Sequence, residues 1–231
     1  KGMLKLAKKS GTAIVGGNMS SSRFVFVDVN VIGKTGNPQG KYLSRSAAKQ
    51  GDLIAVTGWL GTASAGLEML RNRLNFKLGI TRCLQQAFAR PEPRLTEGRL
   101  LVENGVKAGI DISDGLLADL SHICKASQVG AVIKLESLPI KSEVKAAFGS
   151  KAFEMALSGG EDYQLLFTGE KAVIESVRLV SSYPVTIIGE ITRVNDRQIS
   201  VIDEEGKRVQ LQKTGWDHFK ITNNQDIRTK G

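Results

Sequence analysis

Gly109-Ile-Asp-Ile-Ser-Asp-Gly-Leu-Leu-Ala-Asp-Leu120 changes its hydrophobic period in the middle, and that change sets the fold class. Up to Ser113 the residues alternate as a short strand does. From Asp114 onward Leu116, Leu120 and Ile123 recur at helical spacing. The spacing predicts a strand over 109–113 and a helix over 114–126, capped by Ser113 or Asp114. Asp111 and Ser113 are two apart on a strand and therefore share a side. With Asp114 they gather two carboxylates and a hydroxyl where a strand ends and a helix starts. Two readings of this group stay open. One is ordinary helix capping. The other is a site in which free helix amides meet phosphate oxygens and the carboxylates hold Mg²⁺, a cation that takes hard oxygen ligands. Gly115 is read as a position whose missing side chain lets a ligand approach.

Working outward, strands and helices alternate. An amphipathic helix end at Lys1–Lys9, a strand at Thr12–Val15 and a long strand at Arg23–Ile32 open the chain. The Gly/Pro/Asn-rich stretch Gly33–Gly40 marks a subdomain boundary. Strands are expected at 53–57, 131–135, 162–167 and 185–191, with helices at 63–74, 80–88, 94–104, 141–148, 152–157 and 171–181. A late hairpin pairs 198–202 with 208–211. The whole reads as a mixed α/β chain of the α+β class.

The chain has 231 residues and 41% apolar content, enough for a core and too much for general disorder. No apolar run approaches the ~20 residues a spanning helix needs. Cys83 and Cys124 have neither a CxxC partner nor a histidine at metal spacing, which argues against a disulfide scaffold or zinc module and for a reducing cytoplasm. The net charge of +9 suits a polyanionic partner. Its lysines and arginines are scattered, however, and marked nucleic-acid binders cluster them, so neither nucleic acid nor membrane is expected as a partner.

Four further segments carry candidate chemistry. In Ser158-Gly-Gly-Glu-Asp-Tyr-Gln-Leu-Leu-Phe167, Glu161 shares parity with Tyr163, Leu165 and Phe167. It is read either as a solvated turn acid or as a core-facing acid at a strand's mouth that meets a cationic ligand. Gly16-Gly-Asn18 is read as a turn that can present amides to phosphate. Thr57-Gly-Trp-Leu-Gly-Thr-Ala63 is a strand-to-helix connection without the Lys-Ser/Thr ending of a Walker loop, and is read as a turn or an anion site. Gly215-Trp-Asp-His-Phe219 offers an aromatic that either stacks on a planar substrate or covers the core's edge. His122 is read as a surface residue, and no nucleophile elbow or HExxH pattern occurs.

Together these segments resemble the thiamine-monophosphate kinase family. It belongs to the superfamily of aminoimidazole ribonucleotide synthetase, selenophosphate synthetase and HypE. The resemblance runs in family order from Lys1 to about Ile221 and includes Leu43-Ser-Arg-Ser-Ala-Ala-Lys-Gln-Gly-Asp52, Thr57-Gly-Trp-Leu-Gly61, Arg90-Pro-Glu-Pro-Arg94, Ile110-Asp-Ile-Ser-Asp-Gly-Leu116, Leu157-Ser-Gly-Gly-Glu-Asp-Tyr163 and the terminal Gly-Trp-Asp-His-Phe. The resemblance implies an ATP-dependent phosphotransferase that moves the γ-phosphoryl group of ATP to thiamine monophosphate and yields thiamine diphosphate. It implies Asp111 and Asp114 as Mg²⁺ ligands. Gly17, Asn18, Arg45 and Ser113 correspond to ATP contacts, and Glu161 and Trp216 to substrate contacts. Asn18 stands where many relatives have a metal-binding Asp; its amide oxygen supplies a ligand without the charge. No residue is assigned as acid, base or nucleophile, because the substrate phosphate attacks.

The resemblance also implies three regions: a remnant of an ATP-binding N-terminal domain at 1–36, an aminoimidazole ribonucleotide synthetase-like C-terminal domain at 37–222, and a disordered tail at 223–231. The family's acidic N-terminal segments, which supply further metal ligands and form a homodimer, are absent from the sequence. Little or no kinase activity is therefore expected of these 231 residues alone. The rival readings are selenophosphate synthetase, a HypE-like enzyme, and a non-catalytic module that binds a phosphorylated ligand.

Overall fold

The computed structural model describes residues 2–35, 40–194 and 199–209. The chain divides into two compact units, residues 1–40 and 41–231. In the first, helix α1 (Gly2–Ser10) buries no residue, and Lys8 and Lys9 lie in its last turn. Beyond it the segments expected as strands at 12–15 and 23–32 form no ladder among the described residues. Phe24, Val25, Val27 and Val31 are exposed. Alternation gives a segment two faces, but a strand exists only when another strand takes its amides and carbonyls.

In the second unit the chain runs β1 (Leu53–Thr57), α2 (Thr62–Arg71), α3 (Leu78–Ala89), α4 (Leu95–Glu103), β2 (Ala108–Asp111), α5 (Leu116–Ser127) and β3 (Gly130–Lys134). A short 3-10 turn (Leu135–Ser137) leads to α6 (Ser142–Phe148), α7 (Lys151–Ser158), β4 (Leu165–Gly169), α8 (Lys171–Val180), β5 (Val185–Thr192) and β6 (Ile199–Ile202). The six strands form one sheet in the order β2-β4-β1-β5-β3-β6. Its ladders are antiparallel except for β3 and β6, which run parallel with Ala131 opposite Ile199.

Both faces of the sheet are covered, which explains the unbroken apolar run of β1. Ile54, Val56 and Leu166 face the larger core with Leu84, Leu116, Leu120, Val144 and Ala156, from α3, α5, α6 and α7. Ala55 and Phe167 face the smaller core with Leu101 of α4 and Ile174 and Val177 of α8. The mixed class expected from the sequence is the class observed.

Two boundaries differ in a way that matters for the site. The strand expected from Asp162 begins only at Leu165. Glu161 and Tyr163 sit at φ 71° and 48°, a left-handed conformation that an alternating strand cannot contain. Helix α5 begins at Leu116 with Gly115, rather than Ser113 or Asp114, as its cap at φ 119°. The second half of the late hairpin is seen in part: Val209 N donates to Val201 O at 2.9 Å, and the residues after it lie outside those described.

Candidate functional site

The site is built from two loops about fifty residues apart in sequence. Where β2 and β4 stop pairing, with Asp111 opposite Leu165, their flanking loops continue the pairing. Ile112 N donates to Gln164 O at 2.8 Å, Tyr163 N to Ile112 O at 2.9 Å, and Glu161 N to Ser113 O at 2.9 Å. The loop over 112–115 and the loop over 158–164 are thus laced side by side. Their glycines make this approach feasible. A Cβ on Gly115 would stand 2.8 Å from Ser158 O, and one on Gly160 would collide with Ser113 O. Gly115 is therefore where the other loop enters, and not an opening for a ligand as the sequence suggested.

The laced loops open on a cavity of about 710 Å³. Ser113, Asp114, Gly160 and Glu161 line it from the loops, with Ser64 from α2 and Lys151 from α7. Asp111 is exposed at the end of β2. A residue the sequence reading passed over joins these acids: the Tyr163 hydroxyl donates to Glu161 Oε2 at 3.1 Å. Burial raises the Tyr163 pKa above 10, and the charges of Glu161, Asp111 and Asp114 add to the rise. The charges of Asp111, Asp114 and Glu161 thus all act on one phenol, and Asp114 and Glu161, but not Asp111, line the cavity with hard oxygen donors of the kind Mg²⁺ takes.

Of the two readings offered for Glu161 the structure shows the solvated one: Glu161 is exposed, and the next residue, Asp162, is the buried acid. Asp162 receives Gly61 N at 2.6 Å and Ala63 N at 3.1 Å. Burial pushes its pKa up to about 7, against the pull of these amides and that of Thr62. The start of α2, one of the proposed anion cradles, is thereby filled by the chain's own carboxylate. Helix α5 shows the same arrangement. Asp119 in its first turn reaches back, and its Oδ2 accepts from the amides of Ser113, Asp114 and Gly115 at 3.0, 3.1 and 3.2 Å. Burial raises the Asp119 pKa, those amides oppose the rise, and the Asp114 charge supports it. The amides that the sequence offered to phosphate are therefore already engaged. Asp119 was legible only as one more acid on a helix, since a reach backward of four to six residues has no spacing signature of its own.

Other candidates lie elsewhere. Arg45 is exposed beside the first residues of β2, where Ser44 bridges Ala108 and the Arg45 carbonyl accepts from Ser127 Oγ at 2.9 Å; it does not line the cavity. Gly17 and Asn18 belong to the first unit, where Asn18 Oδ1 accepts from Met19 N at 2.9 Å. Trp216 lies outside the described residues. His122 is exposed, as expected, and its ring approaches Asp114 and Asp119, the ligating atoms of the three lying within 4.8 Å of one another. No described helix is long and apolar enough to cross a membrane.

Comparison with known proteins gives the family. Residues 49–202 match the family described as AIR synthase related protein, C-terminal domain. The chain is 34% identical over 225 residues to the thiamine-monophosphate kinase of Buchnera aphidicola subsp. Schizaphis graminum, covering 95% of this chain and 68% of that protein. It is 38% identical over 187 residues to the thiamine-monophosphate kinase of Escherichia coli K12, covering 79% of this chain and 57% of that protein. Among solved structures, AaThiL complexed with AMPPCP and TMP superposes with a TM-score of 0.66 at 34% identity, over 78% of this chain and 55% of that one. The chain thus spans between about half and two thirds of the length of these relatives. With the matched domain and an identity above 30% across nearly its whole length, the chain belongs to the thiamine-monophosphate kinase family.

Proposed function

We propose that this chain works as part of an ATP-dependent phosphotransferase that converts thiamine monophosphate to thiamine diphosphate. The supporting observation is that Ser113, Asp114 and Glu161 line one cavity, where Tyr163 is bonded to Glu161 and feels the charges of Asp111 and Asp114. The kinase relatives and the AaThiL complex with AMPPCP and TMP support the choice of substrates.

In this reading Asp111 and Asp114 hold Mg²⁺, with Asn18 offering an uncharged oxygen. The ion, when bound, neutralises phosphate charge and polarises the transferring group. Ser113, Arg45, Gly17 and Asn18 contact ATP. Glu161 faces the cationic thiazolium or the aminopyrimidine of thiamine monophosphate, and Trp216 packs on its ring. Phosphoryl transfer asks little covalent chemistry of a protein, so these residues act by holding the attacking phosphate and the γ-phosphoryl group in line. The Asp119 and Asp162 carboxylates fix the two loops from behind and touch neither substrate. The assignment extends to residues 1–36 as part of an ATP-binding domain, 37–222 as the C-terminal domain and 223–231 as a tail, with a homodimer in the cytoplasm as the working form.

Calorimetric titration of the chain with thiamine monophosphate in Mg²⁺ tests the reading. Binding should weaken about tenfold in Glu161→Gln, the loss of one charged contact, and Mg²⁺ affinity should fall in Asp114→Asn. Thiamine monophosphate binding unchanged in Glu161→Gln would overturn the substrate assignment.

A further inference from the structure

A second cavity, of about 360 Å³, is lined by Asp162 and Gln164 of the 158–164 loop and has no part in the reading above. Its walls come from two segments of the sequence that the kinase assignment left without a role. Trp59 and Thr62 belong to the connection from β1 to α2, and Arg90 and Arg94 bracket the Pro91-Glu-Pro93 turn. Lys141 and Tyr183 complete it.

Three cations face this space, and two are placed by aromatic rings. The Arg94 guanidinium lies 4.1 Å from the centroid of Tyr183, and Lys141 Nζ lies 4.7 Å from that of Trp59. The rings meet edge to face at 6.1 Å, which ties the two cations to one rigid wall. Prolines on either side of Glu92 restrict the backbone that carries the arginines.

The carboxylate charges near these cations are Glu143 beside Lys141, and Glu92 and Glu97 around Tyr183. Among the described residues no ion pair joins Arg90, Arg94 or Lys141 to a carboxylate. Arg94 Nε is buried without an acceptor, and so is the hydroxyl of Thr62, a residue 4% exposed. The acceptor found for Lys141 Nζ is the Cys83 thiol at 3.9 Å, a weak one. Two carboxylates line the cavity. Asp162 turns its oxygens to Gly61 N and Ala63 N, and Glu92 is exposed on the turn. Buried donors without acceptors are costly, and native proteins rarely leave them so unless something else completes them.

We propose that this cavity binds a small oxyanion, a phosphoryl or carboxylate group on a compact molecule, held by Arg94 and Lys141 with Arg90 at the mouth. A guanidinium edge and an ammonium suit such oxygens. The faces of Trp59 and Tyr183 are occupied by the cations, so the ligand is selected by its charged oxygens and not by ring stacking. The site is separate from the substrate cavity and stands whether or not the kinase reading does.

The test uses the full 231-residue chain in EDTA without nucleotide or thiamine compounds. Inorganic pyrophosphate and citrate are titrated separately by calorimetry to tell phosphoryl from carboxylate chemistry. At least one should bind at concentrations below about 10 mM. Arg94→Gln and Lys141→Gln should each weaken binding about tenfold or more, while Lys125→Gln, on α5, should leave it unchanged. Thermal unfolding of each variant confirms that the fold survives. Failure of both anions to bind, or equal binding by the wild type and both cavity variants, overturns the proposal.

Discussion

The amide of Glu161 donates to the carbonyl of Ser113 at 2.9 Å, so the acid assigned to substrate and the hydroxyl assigned to nucleotide are fixed to each other through backbone. Neither can shift without the other. Their relative position is thus a property of the paired loops, and it survives only where the loops approach closely.

Gly115→Ala tests that approach. The residue lies at φ 119°, where a side chain is strained, and its Cβ would stand 2.8 Å from Ser158 O, a backbone atom that cannot swing away. The variant should lose about 2 kcal/mol or more of stability, read as a lower urea midpoint at unchanged slope. It should also bind thiamine monophosphate more weakly than any surface alanine variant of α5.

Asp119→Ala and Asp119→Asn separate charge from shape. In the alanine variant three amides lose their acceptor, and two of the three belong to part-buried loop residues. Unpaired buried donors cost about 1–3 kcal/mol, so thermal unfolding should fall by several degrees. Asparagine restores one oxygen and no charge, so it should recover part of the loss. Equal stability of both variants with the wild type would show that water replaces the carboxylate fully.

How far the sequence carried is clearest at these same residues. The period change at Ser113 revealed the strand and helix, and the buried run at 53–57 revealed a strand covered on both sides, because hydrophobic periodicity reports burial directly. It also marked 23–32 as a strand, although pairing depends on a neighbour that periodicity does not see. In the site, Asp111, Ser113, Asp114 and Glu161 were legible as types near loop ends. Which acid was buried was not. Parity placed Glu161 inward, but the left-handed conformations at Glu161 and Tyr163 break the alternation and send Asp162 inward instead. The roles of Asp119 and Asp162 depend on contacts to loops whose paths come from the tertiary structure.

Asp162 makes a prediction with a definite sign. Its pKa in the folded protein is raised to about 7 from 3.8, and burial is the largest cause. The folded state therefore binds this proton more tightly than the unfolded state. The contribution is most favourable at low pH and is lost as pH rises from about 4 to about 7, by up to about 1.4 kcal/mol per pH unit. The rest of the protein also titrates in this range, so the quantity to measure is the stability of the wild type minus that of Asp162→Asn. That difference should fall between pH 5 and pH 7 and level off above about pH 8. A difference independent of pH would mean that the carboxylate is ionised throughout, its amides outweighing burial.

Tyr163 reports on the acids themselves. Its hydroxyl donates to Glu161 Oε2 at 3.1 Å, and its pKa lies above 10 through burial first and then through Glu161, Asp111 and Asp114. A negative phenolate forming among carboxylates is disfavoured by each of them. Subtracting the tyrosinate absorbance titration of Tyr163→Phe from that of the wild type isolates this one phenol. Its midpoint should stand above the ordinary value near 10. It should move down in Glu161→Gln, where a charge and a hydrogen bond are both altered, and by less in Asp111→Asn and in Asp114→Asn, where a more distant charge alone is removed. The loss of one partly exposed hydrogen bond should cost Tyr163→Phe about 1 kcal/mol or less of stability. A midpoint indifferent to all three substitutions would mean that the acids do not converge on this residue. The metal assignment of Asp111 and Asp114 would fail with it.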